Sequence, residues 1–247
     1  MRIAVLSDIH ANLMALQRVL QAIDALRPHA LWCLGDIVGY GPHPQACVEI
    51  IRARTDVCLA GNHDLVIVGK IDLARFNPVA REAALWHRRH LDDDSLQWLA
   101  GLPEKTVTAG ITLAHGSPRH PVWEYVSDAE TAAENYAAFD TPICLIGHSH
   151  QAMGWRMVRQ GGRIDVTWVT EAPGAALTLA LSDKWLLNPG SVGQPRDHDS
   201  RASFALLDTE TWQWTWHRVE YDIEAVERAI VAAGLPEMLG RRLYLGW

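Results

Sequence analysis

Short apolar runs that lead directly into Asp, Asn or His recur along this chain. The polar segments that follow them are Asp8-Ile9-His10, Gly35-Asp36, Gly61-Asn62-His63-Asp64, His115-Gly116 and Gly147-His148-Ser149-His150. Apolar runs of this length predict buried strands. In open α/β sheets, ligands bind where the carboxyl ends of the strands meet. We therefore expect these segments, which are distant in sequence, to converge in space.

The first third of the chain predicts alternating strands and helices. Strands are expected at 3–6, 30–34 and 57–60, with a helix after Asn12 that ends at Pro28 and a second helix at 44–54. This spacing favours right-handed βαβ units on a parallel sheet.

The middle of the chain predicts helices and two further strands. Residues 65–105 are expected to be largely helical, with Asn77-Pro78 as a cap. Strands follow at 107–115, with a turn at Gly110, and at 143–146. Ser127-Asp128-Ala129-Glu130 has the spacing of a capping box and predicts a helix that runs to about residue 139.

From Ala152 onward, short strands separated by turn residues predict an antiparallel meander. Trp212, Trp214 and Trp216 alternate, so we expect them to share one strand face, which packs on a helix or second sheet or forms a subunit interface. Residues 222–247 predict a helical tail that is broken near Gly234. Since no linker, repeat or low-complexity tract is present, we expect one domain over residues 1–247.

Composition excludes several classes of protein. The 247 residues are 49% hydrophobic and 21% charged, which argues against disorder and coiled coil. A net charge of −7 argues against non-specific binding of nucleic acid. No apolar run reaches the roughly 20 residues of a membrane span, and the amino-terminal run is too short for a signal peptide. We expect a cytoplasmic protein that binds neither membrane nor, stably, nucleic acid.

The residue types in the polar segments are those of a metal site. Carboxylates, amide oxygens and neutral imidazoles suit divalent Mn, Fe, Ni or Zn. The four cysteines form no CxxC pair, which argues against a thiolate site. The pairs Asp8 with His10 and His148 with His150 have an i, i+2 spacing, which on extended backbone points both side chains the same way. Glycines at 35, 61 and 147 allow positive φ.

These motifs differ in specificity. An Asp-x-His triplet is expected about once by chance in such a chain, whereas Gly-Asn-His-Asp is expected in on the order of one chain in a thousand. Taken singly, each motif has an ordinary structural explanation: a helix cap at Asp8, a turn at Gly61-Asn62, or core histidines at His115 and His148. Together they favour a site, because buried unpaired Asp and His side chains are costly.

In this order, the motifs resemble those of the calcineurin-like metallophosphoesterase superfamily, and the layout is most similar to its small bacterial and archaeal phosphodiesterase-like branch. The resemblance spans residues 1 to about 195 and includes Asn188-Pro189-Gly190-Ser191. It implies a four-layer α/β/β/α sandwich with two mixed central sheets and a centre of two divalent metal ions.

The resemblance also implies a role for each motif residue. The first metal would be held by Asp8, His10, Asp36 and His150, and the second by Asp36 as a bridge together with Asn62, His115 and His148. His63 would act as general acid and Asp64 would orient it. The expected activity is hydrolysis of a phosphodiester or phosphomonoester by in-line attack of a metal-bridging hydroxide, with protonation of the leaving oxygen by His63.

Protein serine/threonine phosphatases of this superfamily continue the Gly-Asp motif into Asp-Arg-Gly, but this chain reads Gly39-Tyr40-Gly41 at the corresponding stretch. The arginine that grips phosphate is absent, which weakens the case for a protein phosphatase. Arg119 and Arg196 are candidate substitutes, and Tyr40, His43 and Tyr125 are candidates for the pocket wall. The histidines without motif context are predicted to lie on the surface or in ordinary packing: His29, His87, His90, His120, His198 and His217.

Two other functions are consistent with the motifs. Some members of the superfamily, such as the retromer scaffold subunit, keep the fold but have lost the catalytic histidine; His63 is present here, which argues against a non-catalytic scaffold. A nuclease of the double-strand-break repair type is disfavoured by the acidic balance and the lack of a basic tract. The natural substrate and the metal are left open. A homodimer is an expectation from general frequency alone.

Overall fold

The computed structural model describes all residues from Met1 to Trp247 and places twelve strands in two six-stranded sheets. The strands are β1 (Arg2–Leu6), β2 (Ala30–Cys33), β3 (Val57–Cys58), β4 (Lys105–Thr108), β5 (Ile111–Ala114), β6 (Ile143–Leu145), β7 (Ala152–Gln160), β8 (Arg163–Val169), β9 (Ala176–Thr178), β10 (Lys184–Pro189), β11 (Ala202–Asp208) and β12 (Gln213–Val219). The helices are α1 (Leu13–Leu26), α2 (Pro44–Arg54), α3 (Asn62–Ile67), α4 (Pro78–His90), α5 (Asp93–Gly101), α6 (Ala129–Glu134), α7 (Ile223–Ala232) and α8 (Met238–Arg241). Two short 3₁₀ turns lie at Leu73–Arg75 and Arg242–Leu245.

The first sheet begins with the predicted βαβ units. Its order is β3-β2-β1-β11-β12-β9, with β1, β2 and β3 parallel and the remaining pairs antiparallel. The helix after Asn12 forms as expected, because the Asn12 side chain accepts a hydrogen bond from the Ala15 N–H at 3.1 Å and caps it. The parallel register brings the carboxyl ends of these three strands to one edge.

The second sheet has the order β4-β5-β6-β10-β7-β8, in which β5, β6 and β10 are parallel. The prediction of an antiparallel meander from Ala152 onward is confirmed for the antiparallel pairing of these strands but wrong for their placement in one sheet. The hairpins β7–β8 and β11–β12 form, but they belong to different sheets. Turn residues indicate where strands reverse, whereas the choice of sheet depends on long-range pairing that a local pattern does not encode.

The two sheets pack face to face through an apolar core of sixteen buried residues drawn from both. Trp214 and Trp216 lie in this core, at 0% and 1% exposure, and Trp212 packs against it from the turn before β12. The tryptophan face therefore packs against the second sheet. A subunit interface is not needed to explain it.

Helices cover the outer faces of both sheets, which gives the expected four-layer α/β/β/α arrangement with two mixed sheets. The largest core, of 32 buried residues, lies between the first sheet and helices that include α1, α2, α4 and α7. The outer layer of the second sheet is thin, because it contains only α6 and the turns beside it. No helix in the chain is long and apolar enough to cross a bilayer.

The helix predicted between Ser127 and residue 139 is shorter than expected. It begins one residue later, with Asp128 as the N-cap that accepts from the Thr131 N–H at 2.8 Å, and it ends at Glu134. Asn135 interrupts it, because its side chain bonds to Glu124 and to the main chain of Arg119 instead of facing solvent.

The carboxyl-terminal segment is helical and broken near Gly234, as expected. Val226 and Ile230 of α7 pack into the core of the first sheet together with Leu239 and Leu243. This anchoring brings the 3₁₀ turn that begins at Arg242 back toward the edge at which the parallel strands end.

The two fully buried tryptophans provide a matched test of this core. The Trp216 indole N–H donates to the Asn188 carbonyl at 2.8 Å, whereas the Trp214 indole N–H is buried without a partner. Both Trp→Phe substitutions remove a similar volume, but only Trp216→Phe breaks a hydrogen bond. We expect Trp216→Phe to lower the free energy of unfolding by about 1 kcal/mol more than Trp214→Phe, measured by urea denaturation. Equal costs would contradict the assigned bond.

Candidate metal centre

Polar side chains from five strand ends meet at the edge where the parallel strands of both sheets terminate. Each of them is at most 4% exposed. They are Asp8 and His10 after β1, Asp36 after β2, Asn62 after β3, His115 after β5, and His148 and His150 after β6. The structure therefore brings together all seven residues that the sequence nominated as metal ligands.

The side chains form two groups that share one carboxylate. Asp8, His10, Asp36 and His150 make up the first group, with ligand atoms that all lie within 4.8 Å of one another. The His10 and His150 Nε2 atoms are 3.1 Å apart, and the His150 Nε2 is 3.3 Å from the Asp8 Oδ1. Asp36 completes the group, with its Oδ2 3.6 Å from the His10 Nε2.

Asp36, His115 and His148 form the second group within the same limit. The His115 Nε2 lies 3.4 Å from the Asp36 Oδ2 and 3.2 Å from the Asn62 Oδ1. Asp36 thus faces both groups, as a bridging ligand would.

Hydrogen bonds to the main chain fix the orientation of three histidine rings. The Nδ1–H groups of His10, His115 and His150 donate to the carbonyls of Val38, Leu34 and Gln194, at 3.0, 2.9 and 2.6 Å. This leaves each Nε2 pointing into the cluster. A metal-binding histidine usually has its other ring nitrogen held in this way.

The unpartnered atoms of the cluster fit divalent cations. The Asp8 Oδ1, the Asp36 Oδ2 and the His148 Nε2 are buried and have no hydrogen-bond partner. With both Nδ1 atoms protonated, the facing Nε2 lone pairs of His10 and His150 repel each other unless a positive charge lies between them. Buried acceptors without donors are costly, and a cation that they coordinate removes that cost.

Burial and mutual charge shift the pKa values of these groups. Burial opposes ionisation of Asp36, but His115, His63 and His10 around it hold its pKa well below the usual range. Burial also lowers the pKa of His115, but Asp36 and then Asp8 outweigh it and raise that pKa to about 10. Burial raises the pKa of Asp8 to about 7 and lowers that of His148 to about 3. Asp36 therefore requires a nearby positive charge, which a protonated His115 supplies and which a bound cation would supply instead.

The cluster is held in strained backbone. Asp8, His10, Asp36, His148 and His150 all have φ between 49° and 64°, in the left-handed region that costs L-residues energy. The expectation that the i, i+2 pairs converge on extended backbone is wrong in this respect. The pairs do converge, but through two sharp turns.

The glycines beside the cluster serve mainly to provide space. Gly35 has φ +100°, as expected, but Gly61 has φ −93° and Gly147 is not among the residues with positive φ. A Cβ atom on Gly61 would collide with the Asp36 carboxylate, and one on Gly147 would collide with the Ser7 hydroxyl. These two glycines let the strand-end loops pack closely together.

His63 lies beside both groups and is only 4% exposed. Its ring centroid is 4.9 Å from that of His10 and 4.4 Å from that of Tyr40, and its Nδ1 has no hydrogen-bond partner. Burial lowers the pKa of His63 to about 4, although the neighbouring Asp36 carboxylate partly opposes this. The imidazole is therefore neutral near pH 7.

The prediction that Asp64 orients His63 is wrong. Both Asp64 carboxylate oxygens are engaged by main-chain N–H groups: those of Asp36 and Gly61 at 2.8 and 2.9 Å, and those of Ile37 and Val38 at 3.0 and 3.1 Å. Asp64 thus joins the loop after β2 to the turn after β3. The neighbouring position in sequence suggested a pair, but the helical turn at Asn62–Ile67 points the two side chains in different directions.

The turn after β10 supports the centre from outside. The Asn188 side chain donates to the Gly147 carbonyl at 2.7 Å and to the Ser149 hydroxyl at 3.0 Å. The Ser191 hydroxyl donates to the Asp8 carbonyl at 2.7 Å. The sequence identified this stretch as a motif, but only the structure shows that it connects the ligand loops of the two sheets.

His87 is a residue whose role the sequence missed. The sequence predicts a surface or packing residue, and the structure shows that His87 is fully buried and forms two specific hydrogen bonds. Its Nδ1 accepts from the Gly39 N–H at 3.0 Å, and its Nε2 donates to the Gly41 carbonyl at 2.7 Å. A single histidine on α4 therefore holds both ends of the turn that carries Tyr40. No local motif marks this contact, since 46 residues separate His87 from Gly41.

The candidate substrate residues divide into two groups. Arg119 forms ion pairs with Glu124 and with Glu134, at 2.7 Å for the latter, so its charge is already compensated. We therefore remove it from the candidate set. The Arg196 Cζ lies 5.9 Å from the centroid of the Tyr40 ring. The main-chain N–H of Arg196 donates to the His150 carbonyl at 3.1 Å. Arg196 and Tyr40 are therefore at the centre.

Two weaker candidates also have defined places. Tyr125 stacks on His148, with ring centroids 3.9 Å apart, and is 49% exposed. It therefore covers one side of the centre. His43 precedes α2 as its N-cap residue without a capping side-chain bond, and its Nδ1 is buried and unpartnered.

Residues 1–212 match the family model of the calcineurin-like phosphoesterase superfamily domain. The chain is 38% identical to an uncharacterized protein of Methanocaldococcus jannaschii over 256 residues, which cover 99% of this chain and 98% of that protein. The chain therefore belongs to the calcineurin-like phosphoesterase superfamily.

Solved structures agree with this assignment. The chain is similar to a metallophosphoesterase from Sphaerobacter thermophilus, with a TM-score of 0.87 and 43% identity, over 100% of this chain and 99% of that one. A hypothetical protein from Pyrococcus horikoshii shares the fold, with a TM-score of 0.80 and 21% identity, over 100% and 98% of the two chains.

The role of Asp64 can be tested by Asp64→Asn. The amide NH₂ group would face main-chain N–H donors that now bond to a carboxylate oxygen. We expect this variant to lower the free energy of unfolding by about 3 kcal/mol, measured by urea denaturation. Asp92→Asn is the control, because Asp92 caps α5 and asparagine caps as well as aspartate. If Asp64 instead oriented His63, activity would fall while stability stayed near that of the wild type.

The burial of His87 predicts a pH dependence of stability. Burial lowers the pKa of His87 from 6.5 to about 3. Below pH 6.5 His87 takes up a proton in the unfolded chain but stays neutral in the folded protein. The stability that the neutral, buried His87 contributes is therefore fully present above pH 6.5 and is lost as the pH falls toward 3.

The test is the difference in the free energy of unfolding between the wild type and His87→Gln. We expect this difference to shrink by about 2 kcal/mol between pH 7 and pH 5. His90→Gln, at an exposed position on the same helix, serves as the matched control. A difference that stays constant with pH would show that His87 is not held neutral.

Proposed function

We propose that this member of the calcineurin-like phosphoesterase superfamily is a hydrolase of phosphate esters that uses two divalent metal ions. The observation that carries the proposal is the pair of buried ligand groups that share Asp36. Bound cations would satisfy the acceptor atoms of this cluster that have no hydrogen-bond partner.

The two groups would divide the ligands as follows. Asp8, His10 and His150 would hold one ion, Asn62, His115 and His148 would hold the other, and Asp36 would contact both. When bound, such a pair of ions acidifies the attacking water and neutralises charge on the phosphoryl oxygens. Oxygen and nitrogen donors without thiolate suit Mn, Fe, Zn or Ni.

The chain itself would supply the proton for the leaving group through His63. In the free protein this imidazole is neutral, because burial lowers its pKa to about 4. A phosphate group beside it brings negative charge, and negative charge raises the pKa of an imidazole. His63 would therefore take up a proton as substrate binds and donate it to the departing oxygen.

The surroundings of His63 favour this role. Its Nδ1 has no hydrogen-bond partner, and no carboxylate lies within salt-bridge distance of its ring to compete for the proton. Gly39 packs so closely on the ring that a Cβ atom there would collide with it. The turn that His87 holds thus confines the orientation of His63 as well as that of Tyr40.

Arg196 would stabilise the negative charge of the substrate. Its positive charge lowers the pKa values of Asp8, His10 and His63, so its field reaches both sides of the ligand cluster. Its Nη2 donates to the Gln194 Oε1 at 2.7 Å, which fixes the guanidinium in place. Arg196 would replace the arginine that the Gly39-Tyr40-Gly41 segment lacks.

We propose a phosphodiester as the substrate, with a phosphomonoester as the alternative; the same acid would serve both, since each releases an alkoxide. An alkoxide is a poor leaving group, so a positioned acid such as His63 benefits its departure.

The proposal is tested by Mn²⁺-dependent hydrolysis of bis-p-nitrophenyl phosphate. We expect Asp36→Ala to lower kcat/KM at least about a hundredfold and exhaustive chelation to abolish activity. We expect His63→Ala to lower kcat/KM at least about a hundredfold for a diester that releases an alkoxide, such as a 3′,5′-cyclic nucleotide, and less for bis-p-nitrophenyl phosphate, because p-nitrophenolate leaves without a proton. Elemental analysis separates the two roles: His63→Ala should retain metal, whereas Asp36→Ala should lose it. His90→Ala is the control for histidine removal. Full activity of Asp36→Ala, or of the wild type after chelation, would refute the proposal. An equal loss for both substrates in His63→Ala would refute the role of His63 as the acid.

A further inference from the structure

Two of the aromatic residues next to the ligand cluster are enclosed by the protein. Tyr40 and Phe76 each pack on His63, with ring centroids 4.4 and 4.9 Å from its own. Their exposed fractions are only 9% and 7%. Neither ring therefore presents a free face to another molecule.

Two further aromatic residues lie against His148, and only one of them has a free ring face. The Trp123 centroid is 6.4 Å from that of His148, but the Arg75 Cζ lies 4.5 Å from the indole centroid and covers the ring. Tyr125 stacks on His148, with centroids 3.9 Å and planes 25° apart. No other aromatic ring packs on Tyr125, and no lysine or arginine lies over it. Its exposed fraction of 49% is therefore the opposite face and the edge of the ring.

The main chain around Tyr125 is fixed, although its own ring belongs to none of the apolar cores. The next residue, Val126, is 1% exposed, and its carbonyl accepts from the Trp155 indole N–H at 3.1 Å. The preceding residue, Glu124, accepts from the Ser117 hydroxyl at 2.7 Å. The loop therefore holds the tyrosine ring at a defined place over the ligand cluster.

An ordered aromatic ring with one exposed face is a suitable surface for stacking. A planar ring of a bound molecule buries apolar area on it, and little entropy is lost because the side chain is already in place. Stacking of a base on an aromatic side chain strengthens binding by about tenfold or more. Since the inner face of Tyr125 contacts His148, a ring on the outer face would be separated from the centre by the thickness of one side chain.

We infer that the outer face of Tyr125 binds a planar aromatic ring of the substrate while the phosphate lies at the metal ligands. The substrate class is thus a phosphate ester that carries such a ring, as a nucleotide carries its base. This inference rests on the proposed function, because it takes the molecule bound at the centre to be a phosphate ester. Tyr125 would determine specificity through its ring and would take no part in proton transfer.

The test is calorimetric binding of adenosine 5′-monophosphate and of ribose 5-phosphate to the full chain with Mn²⁺. The two ligands share the sugar and the phosphate and differ in the base. We expect the wild type to bind adenosine 5′-monophosphate about tenfold more tightly. Tyr125→Phe should keep this preference because the ring remains. Tyr125→Ala and Tyr125→Leu should lose it, since leucine restores apolar area but no planar ring.

Tyr244→Ala is the matched control for removal of an exposed tyrosine. Tyr244 is 47% exposed, and its hydroxyl donates to Glu227 of α7 at 2.9 Å. We expect this variant to keep the preference of the wild type. Because the phosphate is common to both ligands, the ratio of their dissociation constants is insensitive to changes in the phosphate site itself.

The outcomes separate this inference from the proposed function. If the wild type binds both ligands equally or binds neither, or if Tyr125→Ala or Tyr125→Leu keeps the preference, stacking is refuted even when the protein hydrolyses bis-p-nitrophenyl phosphate. Loss of the preference in Tyr125→Phe would assign the contact to the hydroxyl and would also refute stacking. If the wild type shows no metal-dependent hydrolysis but the preference depends on the Tyr125 ring, the stacking site stands and the proposed function fails.

Discussion

Hydrogen-bond acceptors that face one another inside the protein are the constraint on which this structure depends. The Nε2 atoms of His10 and His150 and the free oxygens of Asp8 and Asp36 point at common places with no donors between them. Such a cluster opposes folding, because desolvated acceptors and like charges are both unfavourable. The rest of the structure must therefore hold these side chains in place. Bound cations would offset the cost of burying them and would also supply the proposed chemistry of the site.

The restraint comes from hydrogen bonds that converge on the main chain of the ligand loops. The Nδ1–H groups of three ligand histidines donate to main-chain carbonyls, and the Asp64 carboxylate accepts from four main-chain N–H groups. Ser191 and Asn188 connect the ligand loops of the two sheets. Together they offset the left-handed backbone at five ligand positions. The inter-sheet core adds the larger constraint, since it sets where the two groups of strand ends meet.

The sequence predicted the fold and the convergence of the ligands because both follow from local patterns. Buried strands that end in polar residues, and caps such as Asn12 and Asn77, are visible in short windows. The roles of Asp64 and His87 were not predicted for the opposite reason. Asp64 accepts from Asp36, 28 residues away, and His87 donates to Gly41, 46 residues away, and neither contact leaves a mark in the local sequence.

Net charge is a poor guide to this site. The chain carries −7 overall, yet the acidic residues near the centre are ligands, accept main-chain N–H groups as Asp64 does, or pair with other arginines. Arg196 lies beside Tyr40 and forms no ion pair with a carboxylate. Its positive charge is therefore not offset within the chain, and bound cations would add to it. The charge that a phosphate ester would meet at this edge of the sheets is thus positive, although the protein as a whole is acidic.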